Sequence, residues 1–198
     1  PADAPNRFMI NIPDADKPAL EQFLQQHKLT HAPLYPIVRG RLTHINDEAV
    51  SQQDEQSGRK GIHRELTMTA QAELPADSLV VSGESWQGAM TGQVSIEQGV
   101  ATELNIKLQD RLRFTVDDQV FEVTVRNIRQ VDWQSMRPNF FMIFSPDVLK
   151  PFAVNWMTSL RVSAAQLPDE IELARTFPTI TTLNIDSLLN KLQSVLDK

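Results

Sequence analysis

The chain has 198 residues, 41% of them hydrophobic, and 19 basic against 25 acidic side chains for a net charge of −6. That is enough apolar material for one ordinary domain or two small lobes. It excludes a wholly disordered chain and leaves no basic footprint for a nucleic-acid backbone. The absence of cysteine removes disulfides, thiolate nucleophiles and cysteine-ligated metals from consideration.

Pro1 to Pro5 reads as an unstructured lead without the basic and apolar regions of a signal peptide, as in a processed chain or a piece of a longer one. Arg7 to Ile12 is a short apolar run stopped by Pro13, hence a strand. A helix follows, with Asp14 or Asp16 as cap, Pro18 in its first turn, and Leu20, Phe23, Leu24 and His27 on one buried stripe; Lys28 suits its C-terminal end. Leu34 to Ile45 is strand-like, with Pro36 confining its start to an edge or a bend. Ala49 to Gly61 is polar and aperiodic, a loop. Leu66, Met68, Ala70 and Ala72 alternate along another strand, and Val80 to Gly92, with Trp86, reads as a crossing segment. Ser95 and Gln98 have the spacing of a capping box before a short helix with Val100, Ala101 and Leu104 on its apolar side.

The clearest hairpin runs from Asp110 to Gln130. Leu112, Phe114 and Val116 alternate, Asp117-Asp118-Gln119 turns, and Phe121, Val123 and Val125 alternate back. Strands are expected at Asn139 to Phe144, Met157 to Val162 and Thr179 to Leu183, a helical turn or two over Pro146 to Phe152, and a helix over Asp169 to Phe177. Asp186 is read as the cap of a last helix carrying Leu188, Leu189, Leu192, Val195 and Leu196 on one side. No unbroken apolar run exceeds Phe140 to Phe144, far short of the ~20 residues that span a bilayer.

The fold class expected is α+β. Residues 1–89 plus 155–198 should form one α/β lobe, because the β–α pieces at the two ends are incomplete alone, and 90–154 a small inserted β-rich lobe with one short helix.

Catalytic signatures are weak. Gly83-Glu84-Ser85-Trp86-Gln87 departs from the nucleophile elbow Gly-x-Ser-x-Gly at Gln87, where glycine is needed for tight packing. His27 and His31 have metal-clamp spacing, but Thr30 and Pro33 suggest that the helix ends between them. Asp54-Glu55 and Asp117-Asp118 fall in loop or turn positions, where carboxylates are solvated rather than tuned for acid–base work. Arg126, Arg129 and Arg137 form a basic group expected to pair with neighbouring acids. No catalytic residue, metal ligand or cofactor is assigned.

The stretches Pro33-Leu34-Tyr35-Pro36-Ile37-Val38-Arg39-Gly40-Arg41-Leu42-Thr43-His44-Ile45-Asn46 and Val131-Asp132-Trp133-Gln134-Ser135-Met136-Arg137-Pro138-Asn139-Phe140-Phe141 resemble the first large periplasmic domain of FtsX-like ABC transporter permeases, most nearly the YbbP-type branch. Gln93 to Leu108 resembles the MacB-like periplasmic core, with Leu108-Gln109-Asp110 standing where that family has Leu-Gly-Asp. The resemblance implies a porter-like α/β lobe made from both ends of the segment, with an inserted β-rich lobe and both termini leaving on one side. It implies a non-enzymatic periplasmic domain of a bacterial inner-membrane protein, a location that the lack of cysteine fits. Its partners would be the membrane helices of its own permease, a cytoplasmic ATPase subunit reached through them, and a second permease copy or a periplasmic partner. Mechanotransmission to a transport or regulatory event, on lipid-like or hydrophobic cargo, is the function implied. A free-standing periplasmic binding or adaptor protein and a hydrolase remain as alternatives; coding sequence for membrane spans on both flanks would decide for the permease.

Trp133, Met136 and Arg137 are the candidate partner-binding residues. Trp and Arg are frequent interface anchors, and Pro138 stiffens the segment and so lowers its ordering cost. The competing reading is structural, with Phe140 and Phe141 starting a strand and Trp133 covering an edge.

Overall fold

The structure is a computed structural model and describes residues 4–50, 65–187 and 191. In chain order its elements are β1 (Arg7–Pro13), α1 (Lys17–Gln26), β2 (Thr30–His31), β3 (Tyr35–Ile45), β4 (Glu48–Ala49), β5 (Leu66–Ala70), β6 (Ser78–Gly83), β7 (Gln93–Glu97), α2 (Gln98–Leu104), β8 (Arg111–Val116), β9 (Gln119–Val131), β10 (Met142–Phe144), β11 (Asn155–Arg161), α3 (Leu167–Thr176) and β12 (Thr181–Asn184). Among the described residues the chain divides into two compact units. The first holds Pro36 and everything before it, Trp133–Pro138, and everything from Val154 onward; the second holds Ile37–Asp132 and Asn139–Ala153. The segment 37–89 thus packs with the second unit, not with the chain ends as the sequence suggested. It does so because β3 and β5 pair with each other and with the hairpin and β10.

The first unit is built around an antiparallel sheet in which β1 lies between β12 and β11, and β2 adds to the far edge of β11. Pairing of β1 with two strands from the other end of the sequence places Arg7 opposite both Leu160 and Asn184. The ladder of β1 is interrupted between Met9 and Ile12, where Asn11 takes φ 58°, a bulge of the kind a short polar side chain tolerates. Leu20, Phe23 and Leu24 of α1 and Leu173 of α3 pack with Met9, Ile12 and Leu160 of the sheet in one core. The amide of Asn6 ties this sheet to its neighbour strand: Nδ2 donates to Val162 O and Oδ1 accepts from Val162 N, both at 2.8 Å. The helix ends before His27, and Lys28, at φ 54°, lies beyond it rather than in its last turn.

The second unit closes on itself. β3 pairs with β5, β5 with β10, β10 with β7, β7 with β9, β9 with β8, and β8 with β3 again, the β5–β10 and β7–β9 ladders parallel and the others antiparallel. Six strands therefore form a closed barrel, which removes exposed edges from those strands. β6, which takes in only Val80 to Gly83 of the Val80–Gly92 stretch read as a crossing, is a strand that continues the β8 edge of β9. The β8–β9 turn has Asp117 and Asp118 at φ 48° and 63°, the two left-handed residues of a type I′ hairpin that matches strand twist. Leu112, Phe114, Val123, Val125, Ile96, Met68 and Phe144 are buried. The ring of Phe114 stacks 5.6 Å from Phe121 and meets Phe144 edge-on at 5.2 Å. Gly40 sits where β3 and β8 approach closely: a Cβ there would lie 2.5 Å from Val116 Cγ2 and 2.6 Å from Thr115 O.

Two local expectations change. Ser95 does not cap α2; it is buried in β7, and Glu97 is the cap, its carboxylate accepting from Gly99 N and Val100 N at 2.8 and 2.9 Å. Gln109, in the position where the resembled family has Gly, keeps the left-handed backbone at φ 71°, a conformation that costs a non-glycine residue about 1–2 kcal/mol. For the last helix, residues 185–187 are helical and Asn184 Oδ1, not Asp186, accepts the Ser187 N–H at 3.2 Å; the leucines from 188 on lie outside the described residues, as do most of the Ala49–Gly61 loop, Asp54-Glu55 and His63.

Candidate functional site

Trp133, Met136 and Arg137 lie on a short irregular stretch of the first unit, in which Trp133–Ser135 form one 3-10 turn. Trp133 is 50% exposed and Arg137 is exposed, while Met136 is half-buried and Pro138 buried. Met136 holds φ 60°, a left-handed conformation rare for a long side chain. The Arg137 N–H donates to Ser135 Oγ at 3.3 Å. Of the two phenylalanines beyond, Phe140 is buried and Phe141 is 39% exposed, and both precede β10. The structural reading of this pair therefore applies to Phe140 alone.

The basic group of the sequence separates into three situations. Arg126 pairs with Glu84 at 3.2 Å. Arg129 is fully buried in the second unit. Its Nη1 donates to Ser95 O at 2.8 Å and to Phe141 O at 3.5 Å, and its Nη2 donates to Phe140 O. Nε has no acceptor among the described residues. Burial pushes the guanidinium down to about 10, against the pull of Glu97 and Asp77 in the opposite direction, so the group stays charged at neutral pH. Arg137 makes no ion pair among the described residues. Sequence reasoning missed the burial of Arg129, although the alternation that buries Val123 and Val125 continues through Asn127, Arg129 and Val131.

Ser85 lies on an exposed loop after Gly83, where its carbonyl accepts from Arg126 Nε at 2.9 Å. His27 caps α1, stacks on Phe23 with ring centroids 4.0 Å apart, and has Nδ1 2.9 Å from Asp169 Oδ1. His31 is in β2 with Nδ1 2.5 Å from Ala32 O. The two histidines thus serve separate contacts. Among the described residues no three His, Asp or Glu side chains converge in a metal-binding arrangement, and no helix is long and apolar enough to cross a membrane.

No family model matches the chain. Over nearly its whole length, however, the chain is related to a segment of an ABC transporter permease. That relative is YbbP of Escherichia coli (strain K12), described as an uncharacterized ABC transporter permease, and the two are 36% identical over 192 residues. The match takes in 97% of this chain and 23% of the relative, so the chain spans about a quarter of the permease it matches. Among solved structures, a domain described as a permease protein from Porphyromonas gingivalis superposes with a TM-score of 0.49 at 8% identity, over 91% of this chain and 88% of that one.

Proposed function

We propose that this chain is a periplasmic, non-catalytic domain of a bacterial inner-membrane ABC transporter permease. It passes movement of the membrane helices, driven by a cytoplasmic ATPase, to a transport or partner-regulation event on hydrophobic or lipid-like cargo. The similarity to YbbP over 97% of this chain carries the reading. One feature of the first unit supports it: Ile185 N donates to Asn6 O at 3.0 Å, so the described chain enters and leaves its sheet side by side, as a segment suspended between two membrane spans requires. The domain would act through surface contacts, with Trp133, Met136 and Arg137 facing a second permease copy or a periplasmic partner.

In the isolated chain, Trp133→Ala and Arg137→Ala should each change unfolding free energy by about 1 kcal/mol or less, because Arg137 is exposed and Trp133 is half exposed. In the intact permease in its membrane, a photo-cross-linking residue at 133 should capture a discrete protein partner that one at exposed Glu103 does not. A loss of several kcal/mol from either alanine variant, as core truncation gives, or equal capture at 133 and 103, would return the segment to a structural role.

A further inference from the structure

Thr30 and His31 of β2 stand opposite Arg161 and Leu160 of β11. Between these strands and Arg137 opens a cavity of about 100 Å³ whose lining includes Thr30, His31, Arg137, Ser159 and Arg161 beside apolar residues. All of these residues belong to the first unit. Two arginines and a histidine therefore border one small opening in a chain whose net charge is −6. Four arginines have carboxylate partners: Arg7 pairs with Glu170, Arg111 and Arg113 with Asp47, and Arg126 with Glu84. Arg137 and Arg161 have none among the described residues. Arg161 is steadied by a neutral acceptor, its Nη1 donating to Ala4 O at 3.3 Å, which fixes the side chain without cancelling its charge. The contact of His31 Nδ1 with Ala32 O makes Nδ1 the donor and orients the ring.

From this placement we infer that the cleft binds a phosphate-type oxyanion. Guanidiniums match phosphate oxygens with paired N–H donors. The volume limits what enters. Pockets for whole drug-sized molecules run to about 300–1,000 Å³, so a space of about 100 Å³ takes the phosphate group and leaves the rest of its bearer outside. That bearer is either a soluble phosphate compound or a phospholipid headgroup. Arg137 is shared with the partner-facing segment proposed above, but the cleft does not rest on that reading, since Arg161 and His31 belong to a different part of the sequence.

The test is a titration of the 198-residue chain with inorganic phosphate at constant ionic strength, following the arginine Nε–H signals by NMR. Saturable shifts at Arg161 and Arg137 are expected, with a dissociation constant on the order of 1 mM from two charge-assisted contacts. Arg161→Gln should weaken binding by about tenfold or more. Arg137→Gln, at an exposed position with no side-chain bond in the fold, should weaken it similarly with an unchanged amide spectrum. Shifts that fail to saturate, that chloride reproduces, or that survive both substitutions would overturn the proposal. Sedimentation with phosphatidylglycerol vesicles separates the sources. Vesicle binding lost in Arg161→Gln assigns the lipid headgroup, and phosphate binding without vesicle binding assigns a soluble bearer. Phosphate binding that persists while residue 133 captures no partner would sink the partner-facing reading alone.

Discussion

Replacing Arg129 by alanine is expected to destabilise the second unit by about 3–5 kcal/mol, the cost of emptying a large buried side-chain volume and unpairing the carbonyls it serves. The side chain is fully buried and donates to the carbonyls of Ser95, Phe140 and Phe141. It therefore ties β7 to the residues that lead into β10, two strands that are already neighbours in the barrel. Alanine would leave those carbonyls without a charged donor and would empty the volume of the largest fully buried side chain. Arg129→Lys keeps the charge but offers a point donor in place of a planar fork, so an intermediate loss is expected. Urea unfolding followed by circular dichroism gives the comparison. A loss below about 1 kcal/mol for the alanine variant would mean that water replaces the guanidinium freely, against the burial described.

Phe114→Ala should produce a loss of similar size, about 3–5 kcal/mol, for a different reason. Phe114 is completely buried and its ring is held between Phe121 and Phe144. Removing it opens a cavity at the junction of β8, β9 and β10, and a closed barrel has little freedom to collapse into it. Phe121, which is half-buried on the same hairpin, is the internal control: Phe121→Ala should cost clearly less. Equal effects at the two positions in unfolding experiments would show that the barrel interior is not packed as described.

The parts of this architecture that depend on neighbouring residues were readable. Alternation at Leu112, Phe114 and Val116, the Asp117-Asp118 turn, and the stripe of Leu20, Phe23 and Leu24 all mark local periodicity, and each has its counterpart in β8, the hairpin turn and α1. Closure of the barrel was not readable, because it depends on parallel ladders between strands far apart in sequence, such as Thr69 with Ile143. For that reason residues 37–89 were placed with the wrong neighbours. Arg129 escaped for another reason. Its position in the alternation pointed inward while its charge pointed outward, and the backbone carbonyls that satisfy it come from other strands. Of the candidate site, Trp133, Met136 and Arg137 stood out by residue type. The proximity of Arg137 to Thr30, His31 and Arg161 was invisible, since three separate segments meet there.

We propose that this domain stands on the periplasmic side of a membrane as part of an ABC transporter permease. Because the chain has no cysteine, a single Glu103→Cys substitution at an exposed position of α2 gives a clean reporter in an intact permease otherwise freed of cysteine. A membrane-impermeant maleimide should label it in cells whose outer membrane has been permeabilised and whose inner membrane is intact. Labelling that occurs only after the inner membrane is opened would place the domain in the cytoplasm and contradict the account.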